Sequence, residues 1–174
     1  LAVVLLLNKC GLEEVLPVVP LFESLEDLEN AAWTLERLLR ISWYTNYING
    51  HQQVMIGYSD SAKDGGQMAA AWAQFKAQEE LVAVAEKYGI KLTLLHGRGG
   101  TVGRGGAPTR AAILSQPAGS VSNSIRLTEQ GEVIRFKYGS APLAIKNLDI
   151  ILSSTIEASL VSPAKPRDNW RGLM

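Results

Sequence analysis

The feature that most constrains the fold is a regular alternation of short apolar runs with longer amphipathic segments. Four runs, each bounded by turn formers or helix caps, predict buried strands: VVPLF (18–22), QVMIGY (53–58), LTLLH (92–96) and SIRLT (124–128). The first three are almost wholly apolar, as are strands of parallel sheets covered on both faces. Segments with helical periodicity separate them, so the sequence predicts an α/β fold with a parallel sheet.

Helix signals fill the segments around these strands. Ser24 is a candidate N-cap with Asp27 three residues later in a capping-box position, and the helix that it opens is predicted to continue through residues 31–44. A second helix is predicted over residues 68–88, with Gly89 as the C′ residue that ends it. Two further helices are predicted over residues 109–115 and 140–161.

Composition excludes several classes of protein. The chain has 174 residues, of which 47% are hydrophobic and 20% charged, a balance typical of a globular domain. Seventeen basic and seventeen acidic residues leave no net charge, which argues against a general surface for nucleic acid or anionic membrane. A single cysteine, Cys10, excludes an intrachain disulfide framework and favours a reducing, cytoplasmic location.

The most apolar stretch is LAVVLLLN, residues 1–8. It is far too short to span a bilayer, because a membrane-spanning helix needs about 20 apolar residues. It also lacks the basic region and cleavage site of a signal peptide. We therefore expect a core helix that ends near Gly11, with Cys10 buried.

Polar residues recur where the predicted strands end. Glu23 follows the first strand, Asp60 lies just past the second, His96 ends the third and Glu129 follows the fourth. Polar groups at the carboxyl ends of successive parallel strands are typical of the active-site face of a (β/α)8 barrel. A doubly wound open sheet would place its site at the same ends. We favour a partial (β/α)8 barrel of the TIM type with additional helices, because several successive strands, and not one switch point, contribute polar residues at their ends.

Glu23 and Asp60 are candidate metal ligands. They would lie on neighbouring strand ends, and Mg²⁺ is commonly held by one or two carboxylates together with waters and substrate oxygens. The alternative is structural: Glu23 favoured by a helix dipole and Asp60 as a turn or cap residue. Lys63 follows where a helix opens and could meet an anion there. The alternative for Lys63 is a solvent-exposed side chain that pairs with Asp64.

The segment HGRGGTVGRGGAP (96–108) holds six glycines and two arginines. Glycine lets the backbone approach a ligand closely, and successive N–H groups can form an anion-binding nest. Arg98 and Arg104 carry paired donors that suit phosphate and carboxylate. The spacing differs from the P-loop pattern. The sequence favours an anion-binding loop over a merely flexible one, whereas His96 at a strand end is more often a hydrogen-bonded structural residue than a general acid or base.

The segment VMIGYSDSAKDGG (54–66) resembles the lysine active-site signature of phosphoenolpyruvate carboxylases. The resemblance continues, in the order found in that family, through VVPLFESLEDLENA, LLHGRGGTVGRGGAPT, ILSQPAGS and RLTEQGEVIRFKYG. It covers nearly the whole chain. SDSAKD is similar to the bacterial-type form of the motif, whereas QPAG (116–119) departs from the commoner QPPG.

The resemblance implies an enzyme that carboxylates phosphoenolpyruvate with bicarbonate, giving oxaloacetate and inorganic phosphate. This is a carbon-fixing lyase reaction that replenishes the tricarboxylic acid cycle, with Mg²⁺ or Mn²⁺ and no organic cofactor. The family's metal carboxylates match Glu23 and Asp60. Its signature lysine, which binds bicarbonate or a phosphorylated carbonate, matches Lys63. Its glycine-loop arginines, which hold carboxyphosphate or phosphate, match Arg98 and Arg104.

The resemblance further implies that Gly99 and Gly100 contribute to the substrate-binding loop. It implies that Arg104 takes part in allosteric inhibition by dicarboxylates such as aspartate or malate. The family's enzymes are several times longer, form homotetramers, and carry an essential histidine in an N-terminal part that this chain lacks. We therefore expect residues 1–174 to form a single incomplete domain of the catalytic barrel, inactive alone and exposing an apolar face. Its βα units would cover residues 1–139, with a helix and Pro-rich exit over residues 140–174.

Two other functions fit the residues without the family. One is a different metal-dependent phosphate-ester lyase on a barrel, for example an aldolase with a Schiff-base lysine. The other is a non-catalytic module that binds anions. Convergence of Glu23, Asp60, Lys63 and the loop arginines on one cavity would argue against the non-catalytic module.

Overall fold

The fold is seen in a computed structural model, which describes residues 1–11, 16–97, 108–122, 124–129 and 131–161. Within these ranges the chain forms, in order, α1 (Ala2–Lys9), β1 (Leu21–Phe22), α2 (Leu25–Glu29), α3 (Ala31–Leu39), α4 (Ser42–Ile48), β2 (His51–Ile56), α5 (Ser59–Tyr88), β3 (Lys91–His96), α6 (Thr109–Leu114), β4 (Arg126–Leu127), α7 (Gly131–Tyr138) and α8 (Ala141–Leu160).

The four strands form one parallel sheet in the order β1-β2-β3-β4. The register aligns the last residues of all four strands in one row: Phe22 opposite Ile56, Ile56 opposite His96, and His96 opposite Leu127. The predicted α/β class, the four strands and their parallel pairing are confirmed, although β1 and β4 are only two residues long. The aligned row means that whatever follows each strand emerges at one edge of the sheet.

The main core lies between this sheet and helices α2, α3 and α5. Its buried members are apolar residues from the strands and from one face of each helix: Phe22, Leu28, Ala31, Leu35, Leu39, Val54, Ile56, Tyr58, Ala77, Leu81, Val84 and Leu94. Full burial of one Leu or Ile side chain contributes about 1.5–3 kcal/mol. A second, smaller cluster around Ala112 and Ile113 joins α6 to β4 and α8.

The predicted capping box at Ser24 is confirmed. The Asp27 backbone N–H donates to Ser24 Oγ at 3.1 Å, and the Ser24 backbone N–H donates to Asp27 Oδ2 at 3.2 Å. The Ser24 side chain, and then the Ser24 backbone N–H, lower the pKa of Asp27 below its ordinary value by hydrogen bonding. They stabilise the start of α2, which directly follows the end of β1.

The predicted single helix through residues 31–44 is wrong. The chain forms α2, α3 and α4 instead, and Ile41 takes an extended conformation between the last two. The break turns Tyr44 into the interior, where its hydroxyl donates to Oε1 of buried Gln52 at 2.8 Å. This hydrogen bond to a strand residue eight positions along the chain favours the break over the local helical periodicity.

Helix α5 ends at Gly89 in the left-handed conformation, with φ +62°, as predicted. It begins at Ser59, but Gly66 interrupts it with φ +80° and ψ 169°. Only glycine adopts such a conformation readily. Residues 59–65 therefore form a short helical segment of their own, placed between the end of β2 and the long second part of α5.

Apolar surface is exposed at both ends of the described chain. Helix α1 forms where predicted, but the expectation of a core helix is wrong, because Val4 is buried while Leu5 and Leu6 are exposed. Cys10 is exposed as well, contrary to expectation. Helix α8 confirms the predicted C-terminal helix, whereas α7 was not predicted. No helix in the described ranges combines the length and apolarity needed to cross a membrane.

Candidate functional site

Glu23 and Gly57 lie side by side at the carboxyl edge of the sheet, each one residue past the aligned row. The Gly57 N–H donates to Phe22 O at 2.8 Å, as a continuation of the β1–β2 pairing. A Cβ atom at Gly57 would lie 2.6 Å from both Cβ and Cγ of Glu23. The absence of a side chain at Gly57 is therefore what allows the Glu23 side chain to lie across the end of β2.

Glu23 and Asp60 are brought together by the hydroxyl of Ser59. Ser59 Oγ donates to Glu23 Oε1 at 2.6 Å and lies 3.5 Å from Asp60 Oδ1. The Ser61 backbone N–H also donates to Glu23 O at 3.0 Å, which ties the start of α5 to the end of β1. The two predicted carboxylates thus share one neighbouring side chain, although they come from different strand ends.

Lys63 pairs with Asp60 rather than with Asp64. Its Nζ donates to Asp60 Oδ1 at 2.8 Å, one helical turn apart, and both side chains are largely exposed. The hydrogen bond from Lys63, together with its charge, lowers the pKa of Asp60. The same hydrogen bond and the Asp60 charge raise the pKa of Lys63, and the carboxylates of Glu23 and Asp64 act in the same direction. At neutral pH the pair is therefore a carboxylate and an ammonium.

His96 is a buried structural residue, as predicted. It is 1% exposed, and its Nδ1 lies 2.5 Å from the hydroxyl of Tyr58. Burial lowers the pKa of His96 to about 4, so the ring is neutral at pH 7. Its hydrogen bond links the end of β3 to the residue just before α5. It therefore helps to place the segment that carries Asp60.

The donor set suits a hard divalent cation that keeps several of its own waters. Glu23 and Asp60 supply carboxylate oxygens, and Ser59 adds a hydroxyl between them. In the part of the chain that the structure describes, no three His, Cys, Asp or Glu residues gather closely enough to hold a metal ion. Mg²⁺ is usually bound by one or two carboxylates with waters and substrate oxygens, so two carboxylates fit it.

The glycine loop starts at the same edge of the sheet. The Gly97 N–H donates to Ile56 O at 3.0 Å, which places this first loop residue beside Gly57. Gly99, Gly100 and both arginines, Arg98 and Arg104, lie outside the described residues, so their part in the site stays a prediction.

Sequence reasoning missed Ser59. Its hydroxyl matters only because Glu23, 36 residues away, lies within hydrogen-bonding distance. Its position between the last residues of β2 and Asp60 was the available signal.

Comparisons with known proteins agree with the resemblance seen in the sequence. The family model described as phosphoenolpyruvate carboxylase matches residues 1–174. The chain is 58% identical over 174 residues to the phosphoenolpyruvate carboxylase of Hahella chejuensis, 56% identical to that of Acinetobacter baumannii and 58% identical to that of Shewanella oneidensis. Each alignment covers 100% of this chain and 20% of the relative. The chain thus spans about a fifth of the length of the curated relatives that it matches.

Proposed function

The chain belongs to the phosphoenolpyruvate carboxylase family, and we propose that it supplies the metal-binding edge of an enzyme that carboxylates phosphoenolpyruvate. The full-length protein would convert phosphoenolpyruvate and bicarbonate into oxaloacetate and inorganic phosphate. The observation that carries the proposal is the meeting of Glu23, Asp60 and Lys63 at one edge of a parallel sheet, with Ser59 hydrogen-bonded to Glu23 and next to Asp60.

Glu23 and Asp60 would hold Mg²⁺ or Mn²⁺, with no organic cofactor. When bound, the divalent ion would supply Lewis-acid stabilisation of the negative charge that develops on the substrate. Two features of the chain suit them to this role. The pKa of Asp60 is lowered by Lys63, which keeps its carboxylate ionised. The Glu23 carboxylate is oriented by the 2.6 Å hydrogen bond from Ser59.

Lys63 would bind the anionic partner, bicarbonate or a phosphorylated carbonate. An ammonium group has three N–H donors, and its hydrogen bond to Asp60 uses one of them. The Lys63 side chain is 74% exposed, so solvent-borne anions can reach its remaining donors. Because Asp60 raises its pKa, the lysine remains cationic across the neutral range.

Arg98, Arg104, Gly99 and Gly100 would complete the substrate-binding loop. The support is the resemblance of residues 96–108 to the family motif, together with the departure of the loop from Gly97 at the carboxyl edge. Arg98 and Arg104 would hold carboxyphosphate or phosphate through paired donors. Arg104 would also bind dicarboxylate inhibitors such as aspartate or malate. A homotetrameric, cytoplasmic full-length enzyme is part of the same proposal and rests on the family alone.

We further propose that the sheet belongs to a (β/α)8 barrel in the full-length enzyme. The support is the strand order, which follows the order of the chain from β1 to β4 without a reversal. In a barrel, strands that follow one another in the chain are neighbours in the sheet. In a doubly wound sheet, the order of the strands reverses at a switch point. In this proposal residues 1–174 are one incomplete domain, with βα units over residues 1–139 and a helix and exit segment over residues 140–174.

The alternative of a Schiff-base aldolase is disfavoured by the ion pair. A lysine that attacks a carbonyl must lose its proton, which requires a lowered pKa. The Asp60 carboxylate raises the pKa of Lys63 instead.

Bicarbonate-dependent oxaloacetate formation by the full-length protein tests the proposal. Asp60→Asn should reduce kcat/KM by more than about 100-fold, since even residues that merely orient metal ligands cost about 10–100-fold. Asp64→Asn is the matched control, because Asp64 lies on the same short helical segment, is exposed and does not pair with Lys63. Formation of pyruvate instead of oxaloacetate, or full activity in Asp60→Asn, would contradict the proposal.

A further inference from the structure

A buried amide on the long part of α5 reaches back to the segment that carries Asp60. Gln74 is 7% exposed, and its Nε2 donates to Gly57 O at 3.3 Å and to Ser61 Oγ at 3.1 Å. These two acceptors lie on either side of Ser59 and Asp60 along the chain. The carboxylates of the candidate site are touched by neither hydrogen bond, so Gln74 can act on them only through the backbone.

This contact bridges a break in the helix. Gly66 leaves the helical conformation, so residues 59–65 are not continuous with the long part of α5 that follows. The Ser61 hydroxyl, which accepts from Gln74, itself donates to Tyr58 O at 3.4 Å. The side chain of Gln74 therefore links the two parts of α5 across the non-helical residue Gly66. Because both acceptors are buried, losing this donor would leave polar groups unsatisfied.

The separation of the carboxylates depends on this segment staying in place. Glu23 directly follows β1, whereas Ser59 and Asp60 lie in the segment 57–61, whose two ends also bond to the chain at the end of β1. The Ser59 hydroxyl is 2.6 Å from Glu23 Oε1 and 3.5 Å from Asp60 Oδ1. Mg²⁺ requires near-ideal octahedral geometry with bonds of about 2.0–2.1 Å, so small displacements between its ligands weaken binding.

We propose that Gln74 is a positioning residue for metal binding, holding the segment 57–61 so that Asp60 stays in register with Glu23. The inference rests on the proposed function, because it takes these two carboxylates to be the metal ligands. Removing the amide should weaken metal binding without removing a ligand, because the segment that carries Asp60 would lose two hydrogen bonds to the long part of α5.

The test is Mn²⁺ binding to the full-length protein without substrates, followed by the electron paramagnetic resonance signal of free Mn²⁺. Gln74→Met removes the amide while keeping the side-chain length and should weaken Mn²⁺ binding about tenfold. Gln78→Met is the matched control. Gln78 lies one turn further along α5, is 3% exposed, and its Oε1 has no hydrogen-bond partner among the described residues. The control should bind Mn²⁺ like the unmodified protein.

Ser61→Ala gives a second, milder test, because it removes one of the two acceptors and leaves little empty space. It should weaken Mn²⁺ binding several-fold, and it decides the question if Gln74→Met does not fold. Equal Mn²⁺ affinity in Gln74→Met, Ser61→Ala and Gln78→Met would overturn the positioning role. Equal affinity in Asp60→Asn and the unmodified protein would overturn the metal site itself, which separates failure of the proposed function from failure of this inference.

Discussion

Substituting alanine for Gly57, at the end of the sheet, should displace the Glu23 side chain from the candidate site. The Cβ atom of an alanine there would lie 2.6 Å from Cβ and Cγ of Glu23 and 2.9 Å from its Cδ. Carbon atoms in contact prefer about 3.5–4.0 Å, so the Glu23 side chain must move by about 1 Å. The same displacement would break or lengthen the hydrogen bond from Ser59.

A shift of this size is large on the scale of metal coordination. Ligand distances hold to within about 0.2 Å, and misplacing a reacting group by about 1 Å can cost 10²-fold in rate. We therefore expect Gly57→Ala to lower kcat/KM of the full-length enzyme about 100-fold, or about 2.7 kcal/mol of transition-state stabilisation. Overpacking should also destabilise the fold, typically by about 1–3 kcal/mol.

Oxaloacetate formation and thermal unfolding should be measured together on the full-length protein. Gly131→Ala is the control, because a Cβ atom there would meet nothing within 4 Å. It should leave both measurements unchanged. Activity of Gly57→Ala within twofold of the unmodified enzyme would refute the reasoning. It would mean that the position of the Glu23 side chain against Gly57 does not matter for activity.

Two further predictions follow from the ion pairs. Lys63→Met should raise the pKa of Asp60 toward its ordinary value, because it removes the hydrogen bond and the charge that lower this pKa. The carbon-13 chemical shift of the Asp60 carboxyl group, followed against pH, measures the pKa. An unchanged pKa would contradict the prediction. The hydrogen bonds of Lys87 and Arg40 lower the pKa of Glu36 to about 2 from 4.5. Because the folded pKa is the lower one, the stability from Glu36 is present above pH 4.5 and is lost as pH falls toward 2. Glu36→Gln should therefore flatten the acid-side fall of the unfolding temperature, and an unchanged profile would count against it.

The local signals in the sequence were sufficient for most of the fold. Apolar runs separated by helical periods gave four parallel strands, and the Ser24 capping box and the left-handed Gly89 gave correct helix ends. The error over residues 31–44 arose where a contact outside that segment bears on the conformation. The break before α4 depends on Tyr44 meeting Gln52, eight residues away on β2. Such a contact leaves no trace in the helical period of residues 31–44.

In the candidate site, too, some residues were predicted from local sequence signals and others were not. That Glu23, Asp60 and Lys63 lie together could be predicted, because charged residues after apolar strands meet at one edge of a parallel sheet. Ser59 and Gln74 were not predicted, because what singles them out is which side chain or carbonyl each one meets, at neighbours 36 and 17 residues away along the chain. Gln74 in particular lies in an ordinary helical period, and its hydrogen bonds to Gly57 O and Ser61 Oγ distinguish it from the likewise buried Gln78.

The charges at this edge bear on how strongly anionic substrates bind there. The carboxylates of Glu23 and Asp60 and the ammonium of Lys63 carry a total charge of −1, and the lowered pKa of Asp60 keeps that charge in place at neutral pH. Phosphoenolpyruvate and bicarbonate are anions, so the charge of these three residues alone disfavours their binding. A divalent cation between the carboxylates would change the total to +1 and make the edge attractive to both substrates. In the proposed enzyme the metal and the loop arginines Arg98 and Arg104 would both attract these anions, so weakening the metal site should raise the apparent KM for phosphoenolpyruvate at fixed metal concentration.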